Sequence, residues 1–214
     1  MLEQSMYLFL CYNQLMDEFK IIVGYLAIFF TFVGYIPYIK DILNGKTKPH
    51  VYSWFLWTIV SLIAFALQLS DGAGIGAYVT LAAVIVSTVI FLLSFRNGKK
   101  YITKFDTIFL ILTLFSLATW LLAKQPVLSI ILLSVTEALA FIPTVRKSWH
   151  SPHTETLSSY VTNTIRFAMA IFALQHYSII TTLYPAVWLL GNGSFSIMLI
   201  SRRFHIARKV SNTS

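Results

Sequence analysis

Charge is scarce in this chain of 214 residues: Asp, Glu, Lys and Arg together make up 11% of it, against about 25% in a soluble domain. Hydrophobic residues reach 57% and the mean hydropathy is +0.73. A soluble globular domain, intrinsic disorder, collagen and coiled coil are thereby excluded. Cysteine is almost absent. The lone Cys11 rules out an internal disulfide framework and a multi-Cys metal site. Acidic residues number only 8 against 16 basic ones, a formal net charge of +8. That surplus would suit nucleic acid, but in so apolar a chain it points to membrane orientation, which the loops can test. Enzyme signatures are missing too. Gly45-Lys46-Thr47 resembles the end of a phosphate loop, yet the Gly required five residues earlier is Lys40. The histidines, His50, His150, His153, His176 and His205, show no zincin spacing, and no nucleophile sits at a fixed spacing from a base. Neither an enzyme, a cofactor nor a metal is expected.

What the chain does have is long apolar runs. A helix needs about 20 apolar residues to cross the hydrocarbon core, and seven such runs stand at approximately 21–39, 51–69, 75–95, 105–123, 127–145, 157–174 and 178–201. Gly, Pro, Asn and basic residues gather in the short connections, as in Asn44-Gly45-Lys46 and Asp71-Gly72-Ala73-Gly74. The runs lack the period-two alternation of barrel strands. The fold class predicted is an all-α membrane protein of seven transmembrane helices. Residues 1–20 hold too short an apolar stretch to span and no basic residue ahead of it, so they are expected as a loosely ordered or interfacial extracytoplasmic segment.

Labelling the span ends alternately sorts the basic residues. One side receives thirteen of the 16, from Lys40, Lys46 and Lys48 through Arg96, Lys99, Lys100, Lys104, Arg146 and Lys147 to the tail at 202–214. The other side receives Lys20 and Lys124, and Arg166 lies within a span. This asymmetry predicts an extracytoplasmic N-terminus and a cytoplasmic C-terminus in a bacterial-type inner membrane. It removes the nucleic-acid reading and leaves the lipid bilayer as the partner of the basic loops.

The sequence also matches itself weakly at an offset of 106. Ile36-Pro37 falls on Ile142-Pro143, Ser53 on Ser159, Thr58-Ile59 on Thr164-Ile165 and Tyr78 on Tyr184. Two three-helix units, 21–95 and 127–201, would then flank a linker helix at 105–123. A single linker helix makes the units parallel, one of the transporter plans. Three spans, a linker and three more resemble the SWEET sugar transporters and the wider PQ-loop superfamily. Gly34-Tyr35-Ile36-Pro37-Tyr38 through Thr47-Lys48-Pro49-His50-Val51-Tyr52-Ser53-Trp54 is similar to a PQ-loop motif, and Phe141-Ile142-Pro143-Thr144 through Thr156-Leu157-Ser158-Ser159-Tyr160 to its second copy. The pair that names the motif is Pro37-Tyr38 and Pro143-Thr144 here. The resemblance implies a parallel-repeat bundle. Family members carry sugars, amino acids or vitamins, while others, such as the KDEL receptors, bind peptide signals. It further implies an inner gate at the prolines and a pocket Asn in the last span, where Asn192 stands.

Candidate site residues follow from polarity out of place. Glu137 and Arg166 lie near the middle of consecutive spans, where a charge costs at least about 2.5–3.5 kcal/mol. An ion pair between them is expected, either as a substrate anchor or protonatable gate or as a clamp between helices. Ser159, Asn163 and Arg166 share one helix face, and lipid would penalise that face, so it should line the bundle interior. In the second span His50, Trp54, Trp57 and Ser61 form the matching face, with Trp57 at the repeat position of Asn163. An aromatic opposite an amide suits a small polar ligand, although Trp54 also fits an interfacial belt. In the last span Tyr184, Trp188, Asn192 and Ser196 recur every four residues; Asn192 serves either a pocket or helix packing. The expected substrate-binding set is Trp57, Asn163, Asn192, Arg166 and Glu137, with Trp54, Tyr78, Tyr184 and Trp188 at a rim. Pro37 and Pro143 are read as hinges, Pro49 and Pro152 as helix starts or loop ends. The function predicted is alternating-access transport of a small polar substrate, by uniport or proton-coupled through Glu137. A receptor that binds without transporting is the alternative, and assembly into a homo-oligomer is left open.

Overall fold

Every apolar run forms a helix in the computed structural model of the protein, which describes residues 2–45, 51–95, 104–150 and 152–211. In order these are α1 (Leu2–Leu43), α2 (Val51–Ser70), α3 (Ile75–Ser94), α4 (Lys104–Leu121), α5 (Pro126–His150), a short 3-10 turn (Pro152–Thr154), α6 (Leu157–Phe172) and α7 (Ile179–Ser211). Among the described residues there is no strand. Three helices, α1, α3 and α7, are long and apolar enough to cross a membrane, and shorter apolar stretches fall in α2, α4 and α5.

Both ends are more helical than the sequence predicts. Residues 1–20, expected as a loosely ordered or interfacial segment, are ordered from Leu2 onward: they belong to a helix that begins there and runs unbroken for 42 residues. That is about 63 Å at 1.5 Å per residue, more than the thickness of a whole bilayer. Leu, Met, Gln and Glu favour helix, and no proline intervenes before Pro37. The basic segment from 202 onward is helical as far as Ser211, where α7 ends. Arg202 Nε donates to the Trp149 carbonyl at 2.9 Å, and Arg203 Nη2 donates to the carbonyls of Pro152 and Glu155 at 2.9 and 2.7 Å. The end of α7 is therefore tied to the connection between α5 and α6.

Packing follows one order on both sides of α4. Helix α3 packs on α1 and α2, and α7 packs on α5 and α6; α1 lies against α6, and α4 against α5 and α2. Gly34 permits the α1–α6 approach, since a Cβ there would stand 2.8 Å from Thr162 Cγ2. Side-chain placement is the reverse of that in a soluble protein. Phe29, Ile85, Leu92, Ile111, Leu190 and Ile197 are exposed, while Thr31, Gln68, Thr80, Glu137, Arg166, Thr181 and Asn192 are buried. Apolar surface on this scale needs an apolar surrounding, consistent with a membrane protein.

Candidate functional site

A cavity of about 330 Å³ lies where α1, α2, α3, α5, α6 and α7 converge. Four-residue spacing builds its walls. Trp54, Trp57 and Ser61 project from α2; Ser159, Asn163 and Arg166 from α6; Tyr184, Trp188 and Asn192 from α7. Helix α3 supplies Ala83 and Ser87, and α5 supplies Glu137 and Phe141. The expected binding residues Trp57, Asn163, Asn192, Arg166 and Glu137 all line this one space, as do Trp54, Tyr184 and Trp188. Tyr78 does not. It is 44% exposed and meets Phe65 edge-on at 6.0 Å, on the outer surface of α3. The sequence places it at the repeat position of Tyr184, but its α3 face looks outward. Pro37 is exposed on α1 and outside the lining. Pro143 falls within α5, while its side chain, like Pro49 and His50, lies outside the described residues.

The expected Glu137–Arg166 ion pair is not formed. Both carboxyl oxygens of Glu137 and Nη1 of Arg166 are buried and make no hydrogen bond, although Trp188 stands beside the carboxyl group and Tyr35 beside the guanidinium. The physical reason is local. Arg166 Nε donates to Asn163 Oδ1 at 2.7 Å, three residues back on its own helix, and the guanidinium carbon lies 4.1 Å from the centre of the Phe167 ring. Tyr184 stands near both charged groups, with its hydroxyl 3.2 Å from Ser61 Oγ. Ser159 Oγ is a further buried group without a partner in the same wall. Asn192 Nδ2, by contrast, donates to the Trp188 carbonyl at 2.7 Å. The repeat positions in the first unit are inert: Thr31 donates to the Ala27 carbonyl at 2.8 Å, and Val60 and Val86 are core. The charged groups of the site, Glu137, Glu155 and Arg166, come from α5, α6 and the connection between them.

The aromatic wall is larger than the sequence suggested. Tyr35 and Tyr38 of α1 join Trp54, with ring centroids 6.4 and 5.4 Å away, and Trp54 meets Trp57 edge-on at 5.0 Å. Opposite them Phe141 lies 6.2 Å from Tyr160 and 5.8 Å from Trp188. Tyr160 Oη donates to Glu155 Oε2 at 2.9 Å, which brings the α5–α6 connection into the lining. An aromatic within an apolar run carries no periodic signal, so only the motif-like stretches around Pro37 and Pro143 marked these residues.

The two ends of the cavity differ. Tyr38, Trp54, Glu155 and Thr156 bring it to the end that carries Lys40 and Arg203. Toward the other end it stops at a buried cluster of Val60, Ile63, Leu67, Ile130, Leu133 and Phe167. Beside the cluster Thr80 Oγ1 donates to Gln68 Oε1 at 2.7 Å, and Gln68 Nε2 donates to the Thr181 carbonyl at 3.2 Å. Beyond it the α2–α3 and α6–α7 connections clasp each other. Ser178 Oγ donates to Asp71 Oδ2, His176 Nδ1 lies 2.9 Å from the Asp71 carbonyl, and Gln175 N donates to the Ala73 carbonyl at 3.1 Å. Gly74, at φ 61°, packs against Gln175, and a Cβ there would collide with that side chain.

Among the described residues no three His, Cys, Asp or Glu side chains gather as a metal site. No protein-family model matches the chain, and no curated protein and no solved structure matches it.

Proposed function

We infer that the protein is an integral membrane transporter that moves a small polar solute by alternating access. One observation carries this reading: an interior cavity of aromatic, amide and charged groups extends to the basic end and is closed at the other by an apolar cluster with a hydrogen-bonded clasp beyond it. Repeat-built transporters bind near the bilayer midplane and expose the site to one side at a time. In this reading all seven α-helices cross the membrane, in two parallel units, 21–95 and 127–201, joined by a linker at 105–123. The shared packing order, α3 on α1 and α2 and α7 on α5 and α6, supports the units. So does the resemblance of the Pro37 and Pro143 stretches to the SWEET and PQ-loop motifs. The basic asymmetry supports a cytoplasmic C-terminus and an inner-membrane location. The cavity would then face the cytoplasm.

The test is counterflow in liposomes carrying the purified full chain, with labelled sugars, amino acids and vitamin precursors, beside thermal stabilisation by the same compounds. Saturable counterflow is expected for a compound that stabilises the protein. Both signals should be lost in Trp57→Ala and Asn192→Ala, with the variants still folded. Stabilisation without counterflow of any stabilising compound would overturn transport and favour a receptor on the same fold.

A further inference from the structure

We propose that the cavity selects a small zwitterion, a molecule that carries both an ammonium and a carboxylate beside a flat apolar body. This deepens the transporter reading and rests on it only for the site being a substrate site. The argument starts from groups left without partners. Glu137 is 3% exposed with neither oxygen bonded, Arg166 is 3% exposed with Nη1 unbonded, and both form part of one wall system. An ionisable group buried without a hydrogen bond is costly, and native structures leave few buried polar groups unsatisfied. Arg166 Nε is taken up by Asn163 and not by Glu137.

A ligand can complete what the fold leaves open. A pure cation would meet Glu137 and leave the Arg166 nitrogen unsatisfied, and a pure anion would do the reverse. A neutral polyol would bring neither a cation to the carboxyl group nor an anion to the guanidinium. A zwitterion supplies an ammonium for the carboxylate and a carboxylate for Nη1, with Ser159 Oγ as a further donor. The remaining walls, Trp54, Trp57, Tyr35 and Phe141, are ring faces and edges that suit an apolar body and favour a neighbouring cation. At about 330 Å³ the space is at the small end of ligand pockets, which run from about 300 to 1,000 Å³. That size fits a free amino acid.

The experiment measures binding to the purified full chain of the common amino acids, each beside its amide, which keeps only the cation, and its deaminated acid, which keeps only the anion. At least one amino acid with an apolar side chain should bind, and both its analogues should bind about tenfold or more weakly, the loss expected when a buried charge stays unpaired. Glu137→Gln should erase the preference over the deaminated acid, and Arg166→Gln the preference over the amide. Empty Glu137→Gln protein should melt no lower than the parent, because an amide of the same shape replaces a buried carboxyl group that accepts no hydrogen bond. Failure of every amino acid to bind would overturn the proposal. So would equal binding of both analogues, or a lowered melting temperature of empty Glu137→Gln. Counterflow of a neutral sugar without zwitterion binding would refute the zwitterion and leave transport standing. Zwitterion binding without counterflow would do the opposite.

Discussion

A proline at position 185 has no N–H to give to the Thr181 carbonyl one turn earlier in α7. That carbonyl accepts Gln68 Nε2 from α2 instead, at 3.2 Å, and the Gln68 oxygen in turn accepts from Thr80 of α3. One missing backbone donor thus creates a junction of three helices just beyond the cavity. Gln68 and Thr181 are 1% and 0% exposed, so water cannot replace a lost bond. Gln68→Leu should cost about 1–3 kcal/mol, the price of leaving buried polar groups unpaired. In a Pro185→Ala background the Thr181 carbonyl regains a helical donor, so the same Gln68→Leu change should cost less. A double-mutant cycle on thermal stability checks this, and strictly additive losses would refute the junction. At this scale the sequence was half legible. Glu137, Asn163, Arg166 and Asn192 stood out because a polar residue in an apolar run is expensive. Their partners did not, since Arg166 chose Asn163 within its own helix, and pairing depends on rotamers that no spacing records. Pro185 passed unnoticed because its consequence appears only when α2 is packed beside it.

Among the helices, boundaries were legible and reach was not. Predicted spans and observed helices agree within a few residues where Gly, Pro or Asn ends an apolar run, as at Ser70 and Ile75. They diverge at Leu2 and Ser211, because hydropathy measures where lipid stops and helices continue past it as long as their residues favour the conformation. The early turns of α1 attach to the rest through Phe19, edge-on to Phe172 at 5.6 Å, and Lys20, 5.0 Å over the Tyr177 ring. Further along the same helix Pro37 leaves the Val33 carbonyl without a ladder donor and weakens α1 one residue before Tyr38 enters the cavity wall. A weak point beside the lining lets the last turn move while the wall below stays packed. Pro37→Ala should therefore slow flux about tenfold and weaken ligand binding by less, because the change acts on a conformational step and on no group of the cavity wall. Flux lost only in proportion to binding would remove the hinge. Pro143→Ala on α5 is the matching test in the second unit.

For the molecule as a whole, the difference between its two ends is the property that transport would use. At the basic end the lining includes loop residues Glu155 and Thr156. At the opposite end the cavity is separated from the surface by the Val60–Leu133–Phe167 cluster, the Gln68 junction and the Asp71–Ser178 clasp. Only the last of these is polar and near the surface, with Asp71 26% and His176 59% exposed across a 3.5 Å contact. An exposed hydrogen bond to a charged group is worth little more than about 1 kcal/mol, so the clasp is the barrier most easily weakened. A loss of that size shifts a two-state equilibrium about fivefold. Ser87 lines the cavity from α3, and Ser87→Cys on a Cys11→Ser background gives one reporter thiol, because Cys11 is exposed and free. A membrane-impermeant thiol reagent should label it from the side of Lys40 and Arg203 and spare it from the side of Asp71. Adding Ser178→Ala removes the clasp donor and should raise labelling from the Asp71 side about fivefold while lowering it from the other. Equal labelling from both sides in the parent would mean a pore with no closed end. Unchanged labelling after Ser178→Ala would mean that the apolar cluster alone holds the end shut, with the clasp carrying none of the barrier.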